Sequence, residues 1–189
     1  MIKINYKKGF TLLEALVAIS ILMVAVAAPI TIAQKGLSSA TYSKNQMIAS
    51  YLAQDVIEYI KNKRDEVSIN NLNYGDWDNL SIFGLNGNPK TLCMSANGCE
   101  VDTLLNVMTD TNAVKQIGSQ LTPLNTDTNG FYGYKNDSGY KATNFTRKIN
   151  IELHNIDGGA TSAKDEALIT VTVSWGSDSV VVKSLIYNI

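Results

Sequence analysis

The sequence predicts an α+β chain in which a long N-terminal helix, membrane-spanning and then amphipathic, packs on a C-terminal antiparallel β-sheet. Three observations predict it. Ala15–Ala33 is nineteen consecutive residues without a charge. Residues 48–60 repeat apolar positions at helical spacing, and residues 145–189 alternate at strand spacing. Composition sets the bounds. Of 189 residues, 45% are apolar and 17% charged, below the roughly 25% usual in soluble domains. Sixteen Lys and Arg against seventeen Asp and Glu give a net charge of −1, with no basic excess to hold nucleic-acid phosphates. One His and two Cys cannot complete a four-ligand zinc or iron–sulfur centre, so no cofactor is expected.

As a helix, the uncharged run covers roughly 28 Å, enough to cross a bilayer core. Lys3, Lys7 and Lys8 precede it, which orients the N-terminus to the cytoplasm and the remainder outward. A secretory signal peptide is built the same way, and Ala25-Val26-Ala27 fits its small-x-small cleavage pattern. Glu14 argues against that reading. A carboxylate inside an apolar helix costs about 3 kcal/mol unless paired, and a disposable segment has no reason to keep one.

The stretch KKGFTLLEALVAISIL, residues 7–22, resembles the prepilin signature of type IV pilins and type II secretion pseudopilins. The match is a short basic leader, Gly9, then Phe10-Thr11-Leu12-Leu13-Glu14, then an uninterrupted apolar helix. The resemblance implies a leader, residues 1–9, removed by a membrane prepilin peptidase between Gly9 and Phe10. Phe10 would then be N-methylated. The helix would stay in the mature protein and pack with other pilin or pseudopilin subunits. An inner-membrane platform protein and a cytoplasmic assembly ATPase are the further partners implied. The protein would be single-pass in the inner membrane until its incorporation into a surface or periplasmic filament.

Elementary electrostatics supports the same role for Glu14. Cleavage leaves a cationic amine on Phe10, one helical turn before the carboxylate, and a charge in an apolar medium must be paired. A pair within the chain is open. A pair with a neighbour's amine would also fix the axial register of stacked subunits.

The spanning helix, residues 10–33, carries Ala15, Ala18, Ser20, Ala25, Ala27 and Ala28, small residues that let helices approach closely. Pro29 lacks an N–H, so a kink is expected there, and Gly36 is a second weak point. Residues 34–66 continue as an amphipathic helix. Ile48, Tyr51, Leu52, Val56, Tyr59 and Ile60 are its expected buried face. The stretch 51–66, YLAQDVIEYIKNKRDE, resembles a recurring segment of minor pilins.

Residues 67–189 form the expected exported, β-rich domain. Residues 67–91 are dense in Asn, Gly and Asp, with Tyr74, Trp77 and Phe83 embedded either as an exposed contact surface or, more commonly for such aromatics, as loop anchors. Cys93 and Cys99 flank Asn97-Gly98, and in an exported domain such a pair implies a disulfide stapling a local turn. Asn125, Asp127 and Asn129, with Gly130 and Asn136, fall on positions of a calcium-loop pattern. They make a weak calcium candidate, because position twelve lacks its Glu and one ligand alone is charged; Asn-Gly turn chemistry explains the same residues.

Phe145, Ile149, Ile151 and Leu153 alternate with polar residues, Arg147 being the exception on the apolar face. That alternation places His154 on the solvent side. Ile169–Trp175, a Gly176-Ser177 turn and Val180–Ile189 give two more strands, with Trp175 in the core. This ending loosely resembles minor pilins and minor pseudopilins. The acid pairs Asp76 with Asp78 and Glu100 with Asp102 read as loop or strand surface charge. No catalytic constellation is present, so a structural role is expected rather than an enzyme. The role implied is that of a minor pilin. A pseudopilin of a secretion or DNA-uptake machine, or a binding module anchored by one helix, are the alternatives.

Overall fold

The computed structural model describes residues 9–69, 93–105, 112–154 and 166–187. The lysine leader, the aromatic loop with Tyr74, Trp77 and Phe83, and the acids Asp76 and Asp78 lie outside these. The chain divides into two compact units, residues 1–44 and 45–189.

One helix, α1, spans Leu12–Ile69. Thr11 caps its start: the Glu14 N–H donates to Thr11 Oγ1 at 3.3 Å and the Ala15 N–H to Thr11 O at 3.1 Å. Within the first unit, all of residues 12–44 are exposed except Ala15, which is half-buried. The helix is continuous through Pro29 and Gly36. Pro29 removes one amide donor, too little to end a helix bonded on both sides of it. Two hydroxyls of the apolar part are satisfied inside the helix. Ser20 Oγ donates to Leu16 O at 2.7 Å and Thr31 Oγ1 to Ala27 O at 3.0 Å, so neither needs water.

In the second unit, α1 buries Ala49, Leu52, Ala53, Val56, Ile57 and Ile60. The seam therefore differs from the expected face. Tyr51 is 65% exposed, while Ile48 and Tyr59 are only partly covered. Ala49 and Ala53 replace them at the centre, because a side chain of one carbon lets the sheet come close.

The described strands are β1 (Cys99–Val101), β2 (Val114–Gln116), β3 (Pro123–Thr126), β4 (Tyr132–Gly133), β5 (Lys141–His154), β6 (Glu166–Trp175) and β7 (Asp178–Tyr187). They form one antiparallel sheet organised around β5. On one side β5 pairs with β6 from Phe145↔Trp175 to His154↔Glu166. On the other it pairs first with β3, at Thr126↔Lys141 to Pro123↔Thr146, and then with β1 at Cys99↔Ile149. β6 and β7 make a full ten-residue hairpin closed by Gly176-Ser177, with Gly176 at φ 58°. A left-handed first loop residue matches the twist of a two-residue hairpin, and glycine adopts it without strain. Inward-facing Phe145, Ile149, Ile151, Ile169, Val171, Val173, Trp175 and Ile186 pack with the α1 seam as one core. The architecture is thus α+β, with a long N-terminal helix on an antiparallel sheet.

The region of the calcium-loop pattern, which Asn-Gly turn chemistry explains, also holds β3 and β4. Strands of four and two residues are too short for alternation to reveal.

Candidate functional site

The N-terminal region is built for access. Gly9 is exposed, and a side chain placed on it would meet nothing within 4 Å. Phe10 is 72% exposed. Helix α1 begins two residues later, so Gly9, Phe10 and Thr11 lie outside regular structure, ahead of a capped helix. Thr11 and Glu14 make the Thr-x-x-Glu pattern of a helix start, and Glu14 sits where the helix dipole favours a negative charge. Behind this start runs a strongly apolar stretch in which no residue is buried within the chain.

The family model for the prokaryotic N-terminal methylation motif matches residues 4–28. The chain carries the prepilin signature of type IV pilins and pseudopilins. No curated protein and no solved structure compared with it matches. The signature spans the processing region and most of the apolar helix. It implies processing by prepilin peptidase and assembly with other pilin subunits. The methylation motif, the exposed apolar helix and the disulfide described next are consistent with a membrane-anchored, exported protein.

The head of this prepilin-type chain has its own polar organisation. Cys93 and Cys99 are disulfide-bonded and buried, with a Cα–Cα distance of 4.5 Å. The turn between them closes through the Gly98 N–H, which donates to Ser95 O at 2.9 Å. Gly98 has φ 72°, and a Cβ there would lie 2.5 Å from Ile149 O on β5. Both the turn and its seat on the sheet therefore require glycine.

Arg147, the exception on the apolar face of β5, is completely buried. Its Nη1 donates to Leu52 O of α1 at 3.0 Å and to Asp55 Oδ2 at 3.2 Å, and its Nη2 donates to Val101 O of β1 at 2.7 Å. Asp55 Oδ2 also accepts from Thr103 Oγ1 at 2.7 Å. One guanidinium thus ties helix, sheet and the loop after β1. Its Nε has no partner among the described residues.

Glu100 and Asp102, expected at the surface, are each only 3% exposed. Backbone donors hold them there. Glu100 Oε1 accepts from the Thr122 N–H. Asp102 accepts from the Leu104 and Tyr134 N–H groups, both at 3.1 Å. Tyr134 packs beside them. Burial pushes its phenol up to about 12, against the pull of the Arg147 charge. No sequence period signals these acids, because their partners are backbone amides, two of them 22 and 32 residues away.

The calcium-pattern residues are engaged in turn chemistry. Asn125 Nδ2 donates to Lys135 O at 2.8 Å. Asp127 Oδ1 accepts the N–H groups of Asn129 and Phe131, both at 2.8 Å, and the Phe131 amide is the main reason its carboxyl lies below the usual range. Among the described residues no cluster of three or more His, Cys, Asp or Glu side chains could hold a metal. His154 is on the exposed face, 3.9 Å from Glu152.

Proposed function

We propose that this chain is a structural subunit of a type IV pilus-like filament, a minor pilin, processed between Gly9 and Phe10 and assembled through α1. The observation that carries the reading is an apolar helix, behind the prepilin signature, of which the chain itself buries no residue. Such a surface has two stable environments, a bilayer and a bundle of like helices. The protein would wait in the inner membrane with its N-terminus in the cytoplasm and its head exported. A platform membrane protein and an assembly ATPase would then drive it into the filament. Glu14 would pair with the Phe10 amine of a neighbouring subunit as both leave the membrane interface.

Intact-mass analysis and N-terminal sequencing test the processing step. The mature chain should begin at Phe10 with one added methyl group. A start at Ala28 would remove the bundle helix and reject the reading. Gly9→Leu should leave the leader in place. For assembly, the readout is the ratio of protein in sheared filaments to protein in membranes. Glu14→Leu and Glu14→Gln should insert and be processed normally, yet enter filaments poorly. Equal ratios for wild type and both variants would overturn the pairing role.

A further inference from the structure

The edges of the sheet differ sharply in length. Strands β2 and β4 are edges of three and two residues, and β2 exposes Lys115 and Gln116. Strand β7 is an edge of ten residues that pairs with β6 alone among the described strands. That pairing runs one residue to one, without a bulge, from Trp175↔Asp178 to Glu166↔Tyr187. Natural sheets blunt an edge by shortness, proline, a bulge or charge, because a straight run of open N–H and C=O groups recruits another strand. Strand β7 has no proline and a single lysine, Lys183.

The open groups follow from the hairpin. A two-residue loop is flanked by a hydrogen-bonded pair, here Trp175 with Asp178, so by alternation Val180, Val182, Ser184 and Ile186 bond to β6. Val181, Lys183, Leu185 and Tyr187 turn their N–H and C=O to the open edge, where Arg64 Nη1 of α1 meets Tyr187 O at 3.2 Å. The side chains of these four lie on the outer face of the sheet, and Val181, Leu185 and Tyr187 are exposed. On the inner face Val180 and Val182 are only partly buried against the core. The core thins toward β7, and a further strand would cover it on both faces.

Charge and shape choose that strand. A second copy can lie antiparallel to the first about a two-fold axis that keeps both helices on one face of a continuous sheet. Opposed residues then share a face, and the axis passes through one residue position. Centred on Lys183, it opposes two ammonium groups, a destabilising pair. Centred on Val182, it opposes Asp178 to the buried Ile186 and leaves Tyr187 unpaired. Centred on Ser184, it sets Val181 against Tyr187, a favoured β-branched–aromatic pair, and Lys183 against Leu185, with Val182 against Ile186 inside. Lys183 thus sets the register instead of closing the edge.

We infer that β7 is a docking edge for a second copy of this chain, joined antiparallel about Ser184 over residues 181–187. A ladder this short buries less than a stable dimer in solution needs, so confinement to a membrane supplies the concentration. A two-fold contact closes on itself, whereas a filament needs head-to-tail contacts, so the pair belongs to the membrane-held subunit. The inference rests on the membrane-anchored reading of α1 and not on filament assembly.

The test uses the full-length protein in vesicles of phosphatidylcholine and phosphatidylglycerol, with flotation showing separately that it is membrane-held. The native cysteines are joined to each other and buried, so an introduced thiol stands alone. Ser184→Cys, Lys183→Cys and Ser179→Cys are each oxidised with copper phenanthroline, and dimer is read on non-reducing gels. Opposed residues without mutual hydrogen bonds lie about 4.5 Å apart at Cα, within disulfide reach. Ser184→Cys should therefore cross-link, with Lys183→Cys and Ser179→Cys about tenfold less efficient. Added to Ser184→Cys, Leu185→Glu should raise the yield and Leu185→Lys lower it, each about threefold, since position 185 faces Lys183 of the other copy. Leu185 is exposed, and unchanged urea midpoints confirm that each variant is folded. A chain that floats with the vesicles yet gives no dimer from Ser184→Cys would overturn the pairing while leaving the membrane reading intact. Equal yields from the three cysteines, the mark of random collision, would overturn it too, as would equal yields from Leu185→Glu and Leu185→Lys.

Discussion

The same helix solves two different problems in its two halves. From Leu12 to Lys44 no residue is fully buried, although residues 12–33 are almost all apolar. From Asn45 to Ile60 six side chains disappear into a core shared with the sheet. Apolar content does not separate the halves, but its distribution around the axis does. Residues 12–33 of the first half are apolar all round apart from Glu14, which suits a medium with no preferred direction. The second is apolar on one seam, which suits a single partner surface. The lesson is that burial within the chain has to be read from periodicity, whereas a uniform apolar helix declares that its partner lies elsewhere.

The largest test of that contrast is Arg147. Removing it leaves Asp55, Val101 O and the surrounding pocket without a shared partner. Arg147→Ala should destabilise the head by about 3–5 kcal/mol, because it empties a buried site and leaves Leu52 O and Val101 O without their donor. The measurement is the shift in urea midpoint followed by tryptophan fluorescence. Insertion of residues 12–33 into membranes should be unaffected. Coupled loss of both would mean that the first half depends on the head, contrary to the contrast.

A paired truncation sharpens the same point. Ile60 is 0% exposed and Leu22 63% exposed. Ile60→Ala should cost the head about 2–5 kcal/mol. Leu22→Ala should leave the head's unfolding within about 0.5 kcal/mol of wild type. Similar losses from both would show that residues 12–44 contribute to the folded core.

How much of this could be read from sequence depended on the range of the interactions. The strands around Ile149, Val171 and Trp175 were legible because alternation is local. The hairpin was legible because Gly176-Ser177 has turn chemistry. The helix seam was displaced because a search for large apolar residues passes over Ala49 and Ala53. Arg147 stood out as an anomaly in the pattern of β5, yet its partners Leu52 and Asp55 are 95 and 92 positions away. The burial of Glu100 and Asp102 left no trace, since backbone amides carry no sequence signature. At the N-terminus, the Gly9–Glu14 spacing was legible as a motif, and Thr11 as the helix cap follows from the same Thr-x-x-Glu letters.

The disulfide should matter less than the core. Cys93 and Cys99 close a short loop already seated by the Gly98 turn and by the Ile151 N–H, which donates to Cys93 O at 3.0 Å. Replacing both with Ser should cost about 2 kcal/mol on chain-entropy grounds. Urea midpoints of the double variant and of the wild type with and without reductant measure it. A loss as large as that of Arg147→Ala would show that the bond organises the sheet edge instead of trimming the unfolded chain's freedom.

The smallest effect is confined to alkaline solution and isolates one side chain. Tyr134 keeps its proton in the folded head up to about pH 12, whereas in the unfolded chain it ionises near 10.0. Burial disfavours the phenolate, so the unfolded state loses its proton first. Between those values deprotonation pulls the equilibrium toward unfolding, and the stability present below pH 10 drains away as pH rises. Tyr134→Phe has no proton to lose. Its urea midpoint should run parallel to wild type from pH 7 to 9 and then fall less steeply between pH 10 and 12. Lysine and other tyrosine titrations affect both proteins alike, so the difference between the two curves reports Tyr134 alone. Curves that stay parallel to pH 12 would mean that the Arg147 charge offsets the burial, and that this corner of the head is more open to water than its packing indicates.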